Sequence, residues 1–198
     1  MQASVLALSV VSATSQPETR KWDRRSYAKL VDAGVFQPGE RVELIEGEIL
    51  QMSPEKSRHA AVIDLVNETL RAAFGPGFVI RIQHPLAVDA RSEPEPDLAV
   101  VPGGPRDFLD AHPSSAMLVV EVADTSLSFD RETKSRIYAQ AQIPAYWIVN
   151  LRDDVVEVFE QPASGRYLRY STLDQGELTL TTGTAGRAVT VALADLLP

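Results

Sequence analysis

The sequence predicts one α/β domain, and three observations carry that expectation. His59, Val62, Ile63, Val66 and Leu70 recur at spacings that place them on one face of a helix opened by Ser57. Met117–Val120 is apolar without alternation, the mark of a central strand covered on both faces. A second helical stretch follows from Asp130 to about Gln142, stops at Pro144, and leads into the apolar run Ala145–Val149, so helix and strand alternate.

Bulk properties bound the rest. The chain has 198 residues of which 44% are hydrophobic, enough for one well-buried core, so residues 21–198 are expected to form a single domain behind an unstructured tail at 1–20. MQASVLALSVVSATSQ has a signal-like flavour, but no Lys or Arg precedes Arg20 and Ser4 and Ser9 break its apolar run. No stretch approaches the roughly 18 apolar residues a membrane helix needs, so no membrane partner is expected. The absence of cysteine excludes a disulfide framework, a thiol nucleophile and thiolate zinc sites, and fits the cytoplasm. A net charge of −8 argues against a protein that coats nucleic acid by charge alone. A polyanionic substrate would have to be held by a local patch, a metal or a partner.

Taken in order, Asp23 or Ser26 caps a short helix that stops at Gly34. Arg41–Ile45 and Glu48–Met52 flank Glu46-Gly47 as a hairpin. The Ser57 helix ends at Gly75-Pro76-Gly77, and strands are expected at Phe78–Gln83, Pro96–Val101 and Met117–Val122, with a shorter one at Leu86–Val88. Asp130 reads as the N-cap of the second helix. From Val155 to Val191 the chain reads as short β runs with turns at Ala163-Ser164-Gly165 and Gln175-Gly176, closed by a helical turn at Leu193–Leu197.

Chemistry concentrates in Asp97, Glu121 and Lys134. A carboxylate embedded in LVVEV costs several kcal/mol to bury unless it is paired or holds a cation; a structural ion pair or a wet strand end would also accommodate it. Lys134 shares a helix face with Ile137, Tyr138 and Ala141 and should point inward, although the first turn of a helix disfavours a cation. Asp97 follows Pro94-Glu95-Pro96, whose prolines exclude helix. Two carboxylates on neighbouring strands are the oxygen-rich set that Mg²⁺ or Mn²⁺ prefers. His59 is a candidate base or substrate contact. No G-x-S-x-G, phosphate-binding glycine loop or pair of closely spaced histidines occurs.

RVELIEGEILQMSPEKSRHAAVI, EPEPDLAVV, LVVEVADTSLSFDRETKSRIYAQAQIPAYWIV and the C-terminal β region together resemble the bacterial restriction endonucleases of the Uma type, within the PD-(D/E)XK nuclease superfamily, over roughly residues 22–197. The resemblance implies a restriction-endonuclease-like mixed central sheet flanked by helices, with an N-terminal hairpin and a C-terminal β extension. It implies Asp97, Glu121 and the carbonyl of Val122 as metal ligands for Mg²⁺ or Mn²⁺, and Lys134 as the catalytic lysine. Glu43 and His59 match further polar positions of the family, with Glu46 and Gln83 weaker candidates. The superfamily pattern places lysine two residues after the acid, where this chain has Ala123; Lys134 would replace it from the next helix.

The leading expectation is therefore a metal-dependent endonuclease acting on DNA, as a homodimer because two cuts need two sites. The alternatives are a non-catalytic interaction module of the same fold, or a metal-dependent hydrolase of another phosphate ester. Arg20, Lys21, Arg24, Arg25, Lys56 and Arg58 are the residues that would have to gather into one basic patch to support DNA binding.

Overall fold

The computed structural model describes residues 18–182 and 186–198. Most of the expected tail, residues 1–17, lies outside the described residues, and 18–20 carry no regular structure. Helix α1 (Arg24–Asp32) starts where Asp23 accepts a hydrogen bond from the Ser26 backbone N–H at 2.7 Å, which settles the capping residue. β1 (Val42–Ile45) and β2 (Glu48–Gln51) pair antiparallel with Ile45 opposite Glu48. The two turn residues between them, Glu46 and Gly47, have φ of 49° and 82°, the left-handed pair that a two-residue hairpin turn demands.

Helix α2 (Ser57–Phe74) presents Val62, Ile63, Val66, Leu70 and Phe74 to the core and ends at Gly75, whose φ is 64°. It opens at Ser57 as expected, with Lys56 as N-cap and no side-chain cap bond. β3 (Phe78–Ile82), β4 (Leu98–Pro102), β5 (Leu118–Ala123), β6 (Ala145–Asn150), β7 (Val155–Ala163) and β8 (Arg166–Leu173) form one six-stranded sheet in that order. Every neighbouring pair is antiparallel except β5–β6, which is parallel and makes the sheet mixed. β9 (Glu177–Thr182) and β10 (Arg187–Ala192) form a separate hairpin.

A parallel pair needs a crossover. Here it is one continuous helical passage: α3 (Leu127–Phe129), a π-helical turn (Asp130–Lys134) and α4 (Ser135–Gln140). Within it the Ser135 N–H donates to the Asp130 carbonyl, the five-residue span of a π turn.

Two apolar clusters cover the two faces of the sheet. Val120 and Val122 of β5 belong to the cluster with α2 and the β9–β10 hairpin. Val119 and Ala123 belong to the cluster with Leu127, Tyr138 and Tyr146. All six residues of β5 are buried, as its apolar run requires.

Two local expectations fail. Leu86–Val88 forms no strand: the Leu86 N–H goes to Pro94 O and the Ala87 N–H to Pro113 O, so its donors are divided between two loops and no ladder develops. Asp130 is not a helix cap. The helix begins three residues earlier with Ser126 as N-cap, and Asp130 is buried inside it. Lys134 is accordingly about two turns into the helix, where the dipole argument against it does not apply.

Gly47 ties the hairpin to the segment before α1: its carbonyl accepts from Trp22 N at 2.8 Å, and an added Cβ would lie 2.9 Å from Lys21 Cβ and 3.0 Å from Trp22 O. Gly47→Ala is expected to cost about 1–3 kcal/mol of unfolding free energy through the left-handed backbone and that clash. Chemical denaturation checks it; a loss below a few tenths would show that the segment yields freely.

Candidate active site

β4, β5, α2, β1 and the π turn converge at one cleft of about 440 Å³, and Glu43, His59, Asp97, Glu121, Val122 and Lys134 all line it. The sequence-predicted set is therefore brought together. Its members arrive by different routes. Glu121 is the fourth residue of β5, Asp97 immediately precedes β4, and the antiparallel register pairs Leu98 with Val120. This places the two acids at the same end of adjacent strands. His59 comes from the first turn of α2 and Glu43 from β1.

The Asp97–Glu121 pair is held through backbone groups. Asp97 Oδ2 accepts from the Val122 N–H at 2.8 Å, and Glu121 Oε2 from the Asp97 N–H at 3.3 Å. Glu121 Oε1 takes two side-chain donors, Lys134 Nζ at 2.9 Å and Tyr138 Oη at 2.8 Å. Lys134 Nζ also lies 3.5 Å from Glu43 Oε2, an atom that accepts the Glu95 N–H at 3.1 Å. Lys134 points inward as its helix face demands, with a side chain only 4% exposed.

Charge does not balance in this pocket. Glu43, Asp97, Glu121 and Asp130 are all buried, and Lys134 is the one buried lysine or arginine among the described residues. Burial pushes the Glu121 carboxyl up to about 8; Lys134 opposes that shift, while Asp97, Asp130 and Glu43 add to it. Burial likewise raises Asp130 against the pull of Lys134. Asp97 falls the other way: burial would raise it, but the His59 hydrogen bond and charge, the Val122 N–H and Lys134 outweigh burial and leave it below the usual carboxylate range. Burial alone would depress Lys134, yet the charges of Glu121, Glu43 and Asp130 hold it well above an ordinary lysine. The site thus has a firmly charged lysine and a surplus of acid that a cation would relieve.

His59 Nε2 lies 3.4 Å from Asp97 Oδ2, and its ring is raised by the hydrogen bond to Asp97 against the effect of burial. Glu55, Gln83 and Tyr138 join the site although the sequence put none of them in the leading set. Gln83 Nε2 donates both to Asp97 Oδ1 at 3.3 Å and to Glu55 Oε1. Glu55, His59 and Asp97 each offer a ligand atom within 4.8 Å of the others, the one such group of three among the described residues. The spacing of Glu55 and His59, four residues apart at a helix start, was the signal available for Glu55. Glu46 lies elsewhere, in a bidentate pair with Arg136.

The basic residues do not form one patch. Arg24 and Arg25 line a second cleft and Lys56 lines the first. Lys21, Arg24, Lys56 and Arg58 pair with Glu48, Glu93, Asp124 and Asp154 at 2.5–2.8 Å, and Arg20 stacks over Trp22. No helix among the described residues is long and apolar enough to cross a membrane.

Comparison with known proteins places these features in context. The family model Uma2, described as "Putative restriction endonuclease", matches residues 24–192. Among solved structures, a protein of Anabaena variabilis described as a putative nuclease belonging to DUF820 superposes with a TM-score of 0.64 at 15% identity, over 87% of this chain and 95% of its own. At that identity the likeness establishes the fold. No curated protein matches the chain.

Two outcomes follow from the charge arrangement in metal-free protein. Lys134→Met leaves buried carboxylates without their cation and should cost about 3–5 kcal/mol; adding Glu121→Gln should recover part of it, with a coupling of roughly 0.5–3 kcal/mol in urea denaturation. Because Glu121 is raised from 4.5 to about 8 in the folded state, its stabilising contribution is complete below pH 4.5 and is lost as pH rises toward 8. The melting temperature should fall between pH 5 and 8, and fall less in Glu121→Gln. Equal slopes for the two proteins would contradict the assignment.

Proposed function

Since the chain belongs to the Uma2 family, we propose that it is a metal-dependent endonuclease that hydrolyses DNA phosphodiester bonds at the Asp97–Glu121–Lys134 cleft. The observation that carries this reading is the excess of four buried acids over one buried lysine. That surplus, in a set of hard oxygen donors, suits Mg²⁺ or Mn²⁺. Asp97, Glu121 and the carbonyl of Val122 would hold the ion, which when bound supplies charge neutralisation at phosphate and acidifies water.

The protein's own groups have separable tasks. Lys134, fixed between Glu121 and Glu43, presents an ammonium that orients the attacking water and stabilises charge at phosphorus. Glu43 keeps that ammonium from swinging away. Tyr138 and the Asp97 N–H fix the Glu121 carboxylate, and the Val122 N–H fixes that of Asp97. His59 braces Asp97 from the α2 side. Cutting both strands of a duplex is served by a homodimer with paired sites, and a chain without cysteine suits the cytoplasm.

One observation favours a second reading. With a net charge of −8 and basic side chains engaged in ion pairs, the isolated chain has little grip on a long polyanion. A non-catalytic interaction module, or a hydrolase of another phosphate ester, is the corresponding alternative.

Wild type, Asp97→Ala and Glu121→Ala are compared for Mn²⁺ binding by calorimetry and for nicking of supercoiled plasmid; both variants should lose both properties. Metal binding without any nicking would sink the DNA reading and favour the second one. With Glu121 raised to about 8, binding at pH 6.5 should also release close to one proton per ion. Binding heats in two buffers of different ionisation enthalpy measure it, and buffer-independent heats would remove Glu121 as a ligand.

A further inference from the structure

The cleft has a charged floor and also an apolar wall, to which the reading above gives no task. Leu50, Met52 and Phe129 line it together with Asp97, Glu121 and Lys134. All three are half-buried, and none belongs to the apolar clusters of the fold or to the half-buried residues packed on them. Leu50 lies opposite Glu43 in the hairpin register, so the two side chains leave the same face of the hairpin. The Met52 N–H donates to the Arg41 carbonyl and extends that ladder by one pair, which puts Met52 and Arg41 next on the same face. Phe129 closes α3 directly ahead of the π turn, and its ring meets no other aromatic ring among the described residues.

Arg41 adds an unused donor to this wall. Its Nη1 is engaged with Glu55, but its Nη2 is buried without a hydrogen-bond partner among the described residues, and Glu95 Oε2 stands 3.9 Å from it. Size narrows what can enter. The cleft holds about 440 Å³, near the lower end of the roughly 300–1,000 Å³ of sites that enclose one small organic unit. A double helix keeps its bases stacked inside and would bring only sugar and phosphate to Leu50, Met52 and Phe129. An unpaired nucleotide brings phosphate to the charged floor, a flat apolar face to the Phe129 ring, and base-edge acceptors to Arg41. Stacking of that kind adds affinity without net positive charge, which suits a chain of net charge −8 whose basic side chains are engaged in ion pairs.

We infer that the cleft takes an unpaired nucleotide, so that the substrate is a single strand or an opened stretch of duplex, with the base seated against Phe129, Leu50 and Met52 and hydrogen-bonded by Arg41. The inference rests on the endonuclease reading above for what is done to the strand. Recognition of the unpaired base is separable from it and can be observed without any cut.

The test compares two forms of one DNA sequence on the full chain. With Mn²⁺, a single-stranded circle should be cut at least about tenfold faster than the relaxed, closed duplex. With Ca²⁺, a short oligonucleotide carrying 2-aminopurine should bind at least about fivefold more tightly as a single strand than as a hairpin duplex, and stacking should quench its fluorescence. Phe129→Ala and Phe129→Leu should each lose at least about fivefold in affinity together with the quenching, while Phe129→Tyr keeps both. Circular dichroism confirms that each variant is folded, and the comparison of the two DNA forms on wild type needs no variant. Single-strand binding that depends on the Phe129 ring, with neither form cut, would remove the nuclease reading and leave this one standing. Equal cutting or binding of the two forms, preference for the duplex, or Phe129→Ala matching wild type in affinity and quenching overturns the inference while the nuclease reading survives on the cutting itself. Binding of neither form overturns it as well.

Discussion

The structure is organised around a carboxylate set in a fully buried strand. Glu121 sits in β5, every residue of which is buried, so its charge must be met from within the protein. Lys134 and Tyr138 do so from the crossover helix and the Asp97 N–H from the segment that enters β4. The parallel pairing of β5 with β6 requires a crossover, and that crossover is the helix that brings Lys134 and Tyr138 over Glu121. Sheet topology and charge compensation are thus met by one element.

Much of this was legible because buried charge contradicts its surroundings in sequence. Glu121 stands out in LVVEV, and Lys134 shares its helix face with Ile137 and Tyr138. The helices, the hairpin turn and most strands follow from periodicity and from Gly34, Gly47 and Gly75. What was not legible depends on geometry that no residue type announces. Asp130 has the look of a cap, and nothing in DRETK marks a π turn, so the helix start was displaced. Glu55 reads as a loop acid between Pro54 and Lys56, and only the tertiary meeting of α2 with β4 brings it near Asp97. The joining of β7 and β8 to the central sheet is likewise a long-range choice that alternation along each strand cannot encode.

Ala123 shows what the end of β5 can hold. Position 123 is fully buried in the cluster that includes Leu127 and Tyr138. A lysine there would have to be accommodated among apolar groups on the face where the crossover helix packs. Carrying the ammonium on that helix lets β5 end in a small residue and lets the helix pack closely, while the nitrogen still reaches Glu121.

The π turn has a further meaning for how such a site can change. A π turn holds one residue more than the α-helical turn it replaces, so it acts as a single inserted letter in the frame of the helix. Removing that letter would rotate everything on one side of it by about 100° relative to the other, separating Leu127 and Asp130 from the alignment that Lys134 and Tyr138 now keep. The charge pairing in this cleft is therefore sensitive to the length of a helix as much as to its composition, because one residue fewer would carry the Lys134 ammonium away from Glu121.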